Sequence, residues 1–452
     1  MQKNGIKKII LGGKKRLRAE SVKLPAKQYL TGLEKNLCES KNLSDYAKIV
    51  GEQKIEELVQ LGEELKGLKV QQINSARLGG GVAEMLHSVI PLENTLRLDV
   101  NWEVITGPVD FYTYTKTIHN FLQGKMGVPD LVGTKIYWDT NKDNFQLVNQ
   151  KADLVLIHDP QPAGLIKFLE DPRVRSKQKW IWRCHIQLSP KDLVITEFLR
   201  SLIEMYDLAI FSSPKFLPSW RIATTLILPY IDPLSDKNRE LTEYEIKTVL
   251  DKYGIENPGK KPLITLVSRF DPFKGHLLAI EAFQRVRKNT PSQLILVGGT
   301  ACDDPENLLI FEQLRVRARK IPDIHLLNLP PDSHLEINAF QRASTVILQP
   351  SIKEGFGLTV SEGMWKEKPV IGGNVGGIPA QIVDGYNGFL ITPGEDGGVE
   401  MAERINYLIQ HPAMAREMGK RGKETVKERF LITRGIYDEL ILFKSLIQGL
   451  EI

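Results

Sequence analysis

Two glutamates separated by seven residues, Glu354 and Glu362, frame the segment of this sequence that is best suited to ligand chemistry. Gly-Phe-Gly follows Glu354 directly, an apolar run typical of a buried strand (Thr345–Leu348) precedes it, and Val360–Lys366 has helix-forming composition. Glycines let a backbone approach a ligand closely, and free N–H groups at a helix start attract anions. The pattern therefore predicts an anion-binding loop with a carboxylate on each side, a shape that suits a nucleotide sugar.

A second group of polar residues, Arg269 and Lys274, follows another apolar run. Pro262–Ser268 has the composition of a buried strand, and the amphipathic segment Leu277–Val286 comes after the two cations. Open α/β sheets bind ligands at the carboxyl ends of their strands. A guanidinium group and an ammonium group at that place can neutralise a diphosphate without a metal.

These motifs carry a resemblance to a known family. Ser-Arg-Phe-Asp-Pro-Phe-Lys-Gly at residues 268–275 and Glu-Gly-Phe-Gly-Leu at residues 354–358 resemble the C-terminal domain of retaining GT-B glycosyltransferases of the family-4 type. Within that family, residues 73–84, 158–163, 182–185 and 338–344 are similar to segments of the trehalose glycosyltransferring synthases. The resemblance runs from about residue 46 to about the C-terminus. It implies an α/β protein of GT-B architecture, in which two Rossmann-like, doubly wound parallel-sheet domains face a cleft.

The resemblance also implies roles for residues of the C-terminal half. Arg269 and Lys274 would clamp the diphosphate of the donor, and Glu362 would accept hydrogen bonds from the ribose hydroxyls. The transferred glucose and the phosphates would be held by Glu354 and by the backbone of Gly355, Phe356, Gly357 and Leu358.

In the N-terminal half, the resemblance implies that the loop of Gly79, Gly80 and Gly81 closes over the donor. Asp159 and His185 would contact sugar hydroxyls at the reaction centre. His158, beside Asp159 in the sequence, is interpreted as structural.

The expected reaction, by resemblance, is the transfer of glucose from a nucleoside-diphosphate glucose to free glucose, giving α,α-trehalose reversibly. No carboxylate is an evident covalent nucleophile, which favours front-face transfer with retention. Three alternatives stay open: a phosphate-dependent trehalose phosphorylase, a nucleotide-sugar 2-epimerase on the same fold, and a sugar-nucleotide sensor without activity. The sequence does not settle whether the base is that of ADP, UDP or GDP, nor the direction of the reaction.

Length and charge limit the other possibilities. A chain of 452 residues with 42% hydrophobic and 25% charged residues can hold two globular domains. Residues 1–30 contain nine basic and one acidic residue, so the other 422 residues carry a net charge of −3 against +5 for the whole chain. A nucleic-acid partner therefore has no compositional support. We expect neither a membrane span nor a secretion signal, because no apolar run is long enough and charges interrupt the first residues.

Cysteine and acid spacing give the remaining expectations. Cys38, Cys184 and Cys302 are odd in number and far apart, which suits a reducing cytoplasm. Asp303-Asp304-Pro305 lacks the Asp-x-Asp spacing of a metal-dependent GT-A site. We expect no metal site and no tightly bound cofactor, although magnesium can accompany the nucleotide. The partners would be small molecules, and a homodimer stays open.

The order of predicted elements gives the domain organisation. A basic arm is expected at residues 1–40, an acceptor domain at 41–232, a nucleotide-sugar domain at 233–430, and a final helix at 431–452 that crosses back to the first domain. Lys237–Gly254 is interpreted as a charged helical segment and Ile436–Leu450 as an amphipathic helix. Short strands of the first domain are predicted at Lys69–Asn74, Trp102–Thr106, Leu154–His158, Trp180–His185, Leu208–Phe211 and Leu226–Leu228.

Overall fold

The structure, a computed structural model, describes residues 42–124, 130–189, 193–299, 307–394 and 396–450. The expected basic arm lies outside these residues, and so do Cys38, Cys302 and the Asp303-Asp304 pair.

The first half of the described chain is built on a sheet of six parallel strands in the order β2-β1-β3-β4-β5-β6. These strands are Lys69–Asn74 (β1), Asp99–Val104 (β2), Leu154–His158 (β3), Lys179–Arg183 (β4), Leu208–Phe211 (β5) and Ala223–Leu226 (β6). The central strands β3 and β5 are buried along their whole length, as expected for strands covered on both faces.

Helices cover this sheet and precede it. They are Leu43–Val50 (α1), Glu52–Glu64 (α2), Gly81–Thr95 (α3), Val109–Leu122 (α4), Leu131–Asn144 (α5), Pro172–Lys177 (α6) and Leu193–Ile203 (α7). Side-chain caps define several of their starts, because Asn42 accepts from the Ser44 N–H and Asp130 accepts from the Gly133 N–H.

The second half repeats the arrangement with the strand order β12-β11-β10-β7-β8-β9, again all parallel. Its strands are Leu263–Val267 (β7), Gln293–Gly298 (β8), Ile324–Asn328 (β9), Val346–Gln349 (β10), Val370–Gly373 (β11) and Phe389–Ile391 (β12). Its helices are Glu243–Lys252 (α8), His276–Val286 (α9), Asn307–Ala318 (α10), His334–Ala343 (α11), Leu358–Trp365 (α12), Gly397–Gln410 (α13), Pro412–Arg429 (α14) and Ile432–Gln448 (α15). Short 3₁₀ segments occur at Phe145–Leu147, Pro162–Phe168, Pro214–Phe216, Pro272–Lys274 and Ile378–Ala380.

The predicted fold class is confirmed, because the described chain forms two sheets of parallel strands, and helices alternate with these strands along the sequence. Some predicted elements need correction. The strand expected at Leu226–Leu228 is formed by Ala223–Leu226, and the helix expected at Lys237–Gly254 is shorter. Thr242 and Glu245 form a reciprocal capping box that starts this helix at Glu243, which leaves Lys237 in the preceding turn.

The last helix, α15, packs against α2 and α3 beside the first sheet. Its Glu439 is fully buried and accepts a hydrogen bond of 2.6 Å from Arg183 at the end of β4. Near residue 231 the chain pairs with the segment before α15, since the Ile231 N–H donates to the Phe430 carbonyl at 2.9 Å. The domain boundary near residue 232 stays a prediction.

Candidate active site

The carboxyl ends of strands from both sheets meet at one cavity of about 340 Å³. Residues at the ends of β1, β3, β7, β8 and β10 contribute to its wall. It is also lined by most of the predicted site residues: Gly79, Gly80, Gly81, Asp159, His185, Arg269, Lys274, Glu354, Phe356, Gly357, Leu358 and Glu362. Gly355 is not among the lining residues, because its backbone packs against the His185 carbonyl.

Glu354 is held rigidly in the loop between β10 and α12. Its Oε2 accepts hydrogen bonds from Lys274 Nζ at 2.7 Å, from Gln349 Nε2 at 3.0 Å and from Ser351 Oγ at 3.0 Å. All three bonds end on one carboxylate oxygen, and among the described residues none ends on Oε1. The second oxygen thus remains able to accept hydrogen bonds from a ligand.

The start of α12 faces the same cavity. Gly357 takes a left-handed backbone conformation with φ of +83° as the residue before the helix, a geometry that favours glycine. No side chain caps this helix start. The Val360 N–H donates to the Gly357 carbonyl at 2.9 Å, whereas the N–H groups of Leu358 and Thr359 have no partner among the described residues and are available to an anion. The loop thus combines backbone donors with the carboxylate of Glu354, and anion binding by this loop stays a prediction.

The cationic end of the cavity contains a residue that the sequence reasoning missed. Besides Arg269 and Lys274, Lys116 from α4 lines the cavity and lies 3.3 Å from the carboxylate of Asp271. Burial acts to raise the pKa of Asp271, yet Lys116, the Phe273 N–H and the two neighbouring cations lower it to about 2. Asp271 is therefore an anion at neutral pH that balances part of this positive charge.

Glu362 is buried against a lysine rather than open to solvent. Its Oε1 lies 2.9 Å from Lys237 Nζ, and its Oε2 accepts from Gln341 Nε2 at 3.1 Å. Burial works to raise the pKa of Glu362, but the charges of Lys237 and Lys366 outweigh it and lower the pKa. Lys237 also donates to Glu84 Oε2 at 2.7 Å, so one ammonium group joins α3 of the first half to α12 of the second.

Asp159 and His185 lie together on the first-half wall. Asp159 has a φ of +65°, and its Oδ1 accepts the backbone N–H of His185 at 2.8 Å. The His185 ring is hydrogen-bonded to His158, with 2.9 Å between Nε2 and Nδ1. Burial and the nearby Arg183 lower the pKa values of both histidines well below the usual range, so both rings are neutral near pH 7.

Several residues that line or support the candidate site could not be found from the motifs alone. Gln72, Lys116 and Lys237 have hydrogen-bond partners far away in the sequence. Gln349 and Ser351 both donate to the nearby Glu354 but lie outside the Glu-Gly-Phe-Gly-Leu motif. The polar pair Gln71-Gln72 inside a buried strand was a usable signal, because a buried amide needs hydrogen-bond partners.

The described parts of the chain contain neither a cluster of metal ligands nor a helix suited to span a membrane. No group of three or more His, Cys, Asp or Glu side chains there is placed to hold a metal ion. None of the helices described there is both long and apolar enough to cross a membrane.

The fold is that of a GT-B glycosyltransferase. Two family models match the chain: the N-terminal domain of trehalose synthase over residues 72–218, and glycosyl transferases group 1 over residues 251–425. A trehalose synthase of Pyrococcus horikoshii is 43% identical over 412 residues, which cover 90% of this chain and 97% of that protein. The chain belongs to the trehalose synthase family, as its motifs had indicated.

More distant proteins place the family among related enzymes. A trehalose phosphorylase of Pleurotus pulmonarius is 31% identical over 430 residues, covering 83% of this chain and 57% of that protein. The structure of a UDP-forming α,α-trehalose-phosphate synthase from Burkholderia xenovorans superposes with a TM-score of 0.66 at 14% identity. It covers 84% of this chain and all of the other. At that identity the likeness concerns the fold alone.

Proposed function

We propose that this enzyme transfers glucose from a nucleoside-diphosphate glucose to free glucose and forms α,α-trehalose with retention at the anomeric carbon. The observation that carries the proposal is the pairing of Glu354 with Lys274 at 2.7 Å, at the place where both sheets end. A carboxylate oriented by a cation at such a point can hold the hydroxyls of a sugar while the cation faces the phosphate attached to it.

The chemical step can be written with these groups. The bond between the glucose anomeric carbon and the β-phosphate oxygen breaks, and the electron pair leaves with the nucleoside diphosphate. The anomeric hydroxyl oxygen of the acceptor bonds to the same face of that carbon, and its proton passes to the leaving phosphate oxygen. Arg269, Lys274 and the start of α12 would stabilise the charge that develops on this phosphate.

The residues that line the cavity support a nucleotide donor over a free phosphate. Besides Glu362 the wall includes Gly298, Gly299 and residues 329–331, whose backbone groups suit a base. A phosphorylase, the nearest alternative, needs no ribose or base at this end. The bond between Lys237 and Glu362 orients a carboxylate for ribose hydroxyls. Accompanying magnesium and a cytoplasmic location stay predictions, and the base is left for the assay below to identify.

The test is a product assay. The full chain is incubated with glucose and ADP-, UDP- or GDP-glucose, with and without inorganic phosphate, and NMR identifies the product and its anomeric configuration. We expect α,α-trehalose without added phosphate. A strict requirement for phosphate, or release of a 2-epimer instead of a disaccharide, would replace the proposal by one of its alternatives.

A further inference from the structure

A chain of buried hydrogen bonds leads from His185 away from the cavity. His158 lies between His185 and Gln72, with 2.9 Å from His158 Nε2 to Gln72 Oε1. Gln72 Nε2 in turn donates to Glu93 Oε2 at 3.1 Å. Gln72, His158 and Glu93 are each no more than 1% exposed. Because water cannot supply alternative partners there, the donors and acceptors along the chain must match one another.

The orientation of the Gln72 amide fixes the protons of both rings. A neutral imidazole has one N–H and one lone pair. Gln72 presents its oxygen to His158, so His158 Nε2 carries the proton and His158 Nδ1 is an acceptor. His185 must then donate through Nε2, which leaves a lone pair on His185 Nδ1.

The ring geometry suits such a bond. The centroids of His158 and His185 are 5.2 Å apart and the ring planes are inclined by only 18°. Since the facing nitrogens are much closer than the centroids, the rings meet nearly edge to edge. The N–H of one ring therefore points along the lone pair of the other, as a hydrogen bond requires.

The other ring nitrogen of His185, Nδ1, takes no part in this chain of hydrogen bonds. His185 lines the cavity, and among the described residues its Nδ1 has no hydrogen-bond partner. We propose that Gln72 and Glu93 are positioning residues that hold His185 in the Nε2–H tautomer, so that its Nδ1 accepts a hydrogen bond from a sugar hydroxyl. The sugar is the ligand assigned under the proposed function, and to that extent the inference rests on it.

The tautomer can be measured without turnover. Long-range ¹H–¹⁵N NMR of the full chain, labelled at its 8 histidines, distinguishes protonated from unprotonated ring nitrogens. His158→Gln and His185→Gln assign the two rings. We expect both rings to carry the proton on Nε2. A proton on His185 Nδ1, which the reversed orientation of the Gln72 amide would give, overturns the proposal.

Gln72→Met tests the chain of hydrogen bonds from Glu93 to His185, because it removes both polar atoms of the amide while keeping a similar side-chain volume. We expect His158 to lose its single tautomer, and kcat to fall about tenfold with donor KM little changed, as for a neutral hydrogen bond made better in the transition state. The matched control is Gln71→Met. Gln71 is equally buried on the same strand but bonds to Leu147 and Asn149 on the other side. Gln71→Met should leave the NMR signals of both histidine rings and kcat unchanged.

Glu93 provides a rescue test. Glu93→Gln keeps an oxygen for the Gln72 amide and should preserve the tautomer, whereas Glu93→Met should not. If Gln72→Met and Glu93→Met both leave the ring spectra as in the wild type, the positioning role is wrong. If the spectra change as expected but no donor yields trehalose, the positioning role of Gln72 and Glu93 is confirmed and the proposed function is wrong.

Discussion

Gly355 approaches the backbone of His185 so closely that a Cβ atom on this glycine would lie 2.2 Å from the His185 carbonyl oxygen. Next to it, the Glu354 N–H donates to Gln187 Oε1 at 3.2 Å. The glutamate loop of the second half thus touches the end of the first sheet through its backbone. A side chain at residue 355 has no room while the two halves are in this arrangement.

Gly355→Ala should therefore hold the two halves apart without harming either. We expect kcat/KM to fall by on the order of 10²-fold, since displacing reacting groups by about 1 Å can cost that much. Thermal unfolding should change little. The control is Gly259→Ala, where the nearest atom to a new Cβ is the Asn257 side-chain oxygen at 3.2 Å. Normal kinetics for Gly355→Ala would show that this contact is not needed for catalysis.

Lys274→Ala and Arg269→Ala should each lower kcat by on the order of 10²-fold, because each removes positive charge from the place where the leaving phosphate is expected. Both variants should remain folded by circular dichroism. Lys288→Ala, an exposed lysine of the same half, is the control for the loss of one charge. A variant with near-normal kcat would remove that cation from the reaction centre.

Lys237→Met should weaken donor binding. Without the ammonium group, the carboxylates of Glu84 and Glu362 lose their shared partner, and the pKa of Glu362 rises. We expect donor KM to rise about tenfold or more, as for loss of a charged hydrogen bond, while kcat falls less. Lys247→Met, which removes an exposed lysine from α8, should have no such effect.

Glu362→Gln tests whether Glu362 binds the ribose hydroxyls. Contacts to the ribose should be equally strong in the ground and transition states. Donor KM should rise while kcat is kept. If only the KM for the acceptor changes, the ribose assignment is wrong. In the double variant with Lys237→Met the two effects should not add, because the residues are in direct contact.

The sequence predicted the part of the site that follows strands in chain order. Arg269, Lys274 and Glu354 come directly after buried runs, so the parallel-sheet rule placed them at one edge. Lys237 could not be found in this way. It lies in a turn before the capping box of α8, and its partner Glu84 is 153 residues away. Such a contact depends on how the two halves meet, which no local pattern records.

Lys366 should make the free energy of unfolding increase with pH in the alkaline range. Burial lowers its pKa to about 7, against 10.5 for an ordinary lysine, while its Nζ donates to Asn238 Oδ1 at 2.8 Å. Between these pH values the unfolded chain binds the extra proton, so this residue makes stability rise with pH. Below pH 7 both states are charged, and the cost of burying the charge is at its largest.

Lys366→Met removes that dependence. Its free energy of unfolding minus that of the wild type should be largest at about pH 6 and should shrink steadily towards about pH 10. Urea unfolding at several pH values measures the difference, with the exposed Lys420→Met as control. A difference that does not change with pH would show that Lys366 titrates alike in both states.

Closure of the cleft should pivot where the two crossing segments pair. The Ile231 N–H donates to Phe430, and the Ile432 N–H donates back to Ile231, both at 2.9 Å, so the two strands of the hinge are tied together. Cross-cleft contacts such as Gly355 with His185 and Lys237 with Glu84 belong to the closed arrangement. Because ligands favour the state in which their site is complete, saturating nucleoside diphosphate and glucose should lower the radius of gyration measured by solution scattering.

Gly355→Ala should keep the larger radius even with both ligands present, whereas Gly259→Ala should contract like the wild type. An unchanged wild-type radius would mean that the cleft is already closed, and the loss of activity in Gly355→Ala would then come from distortion of the glutamate loop itself.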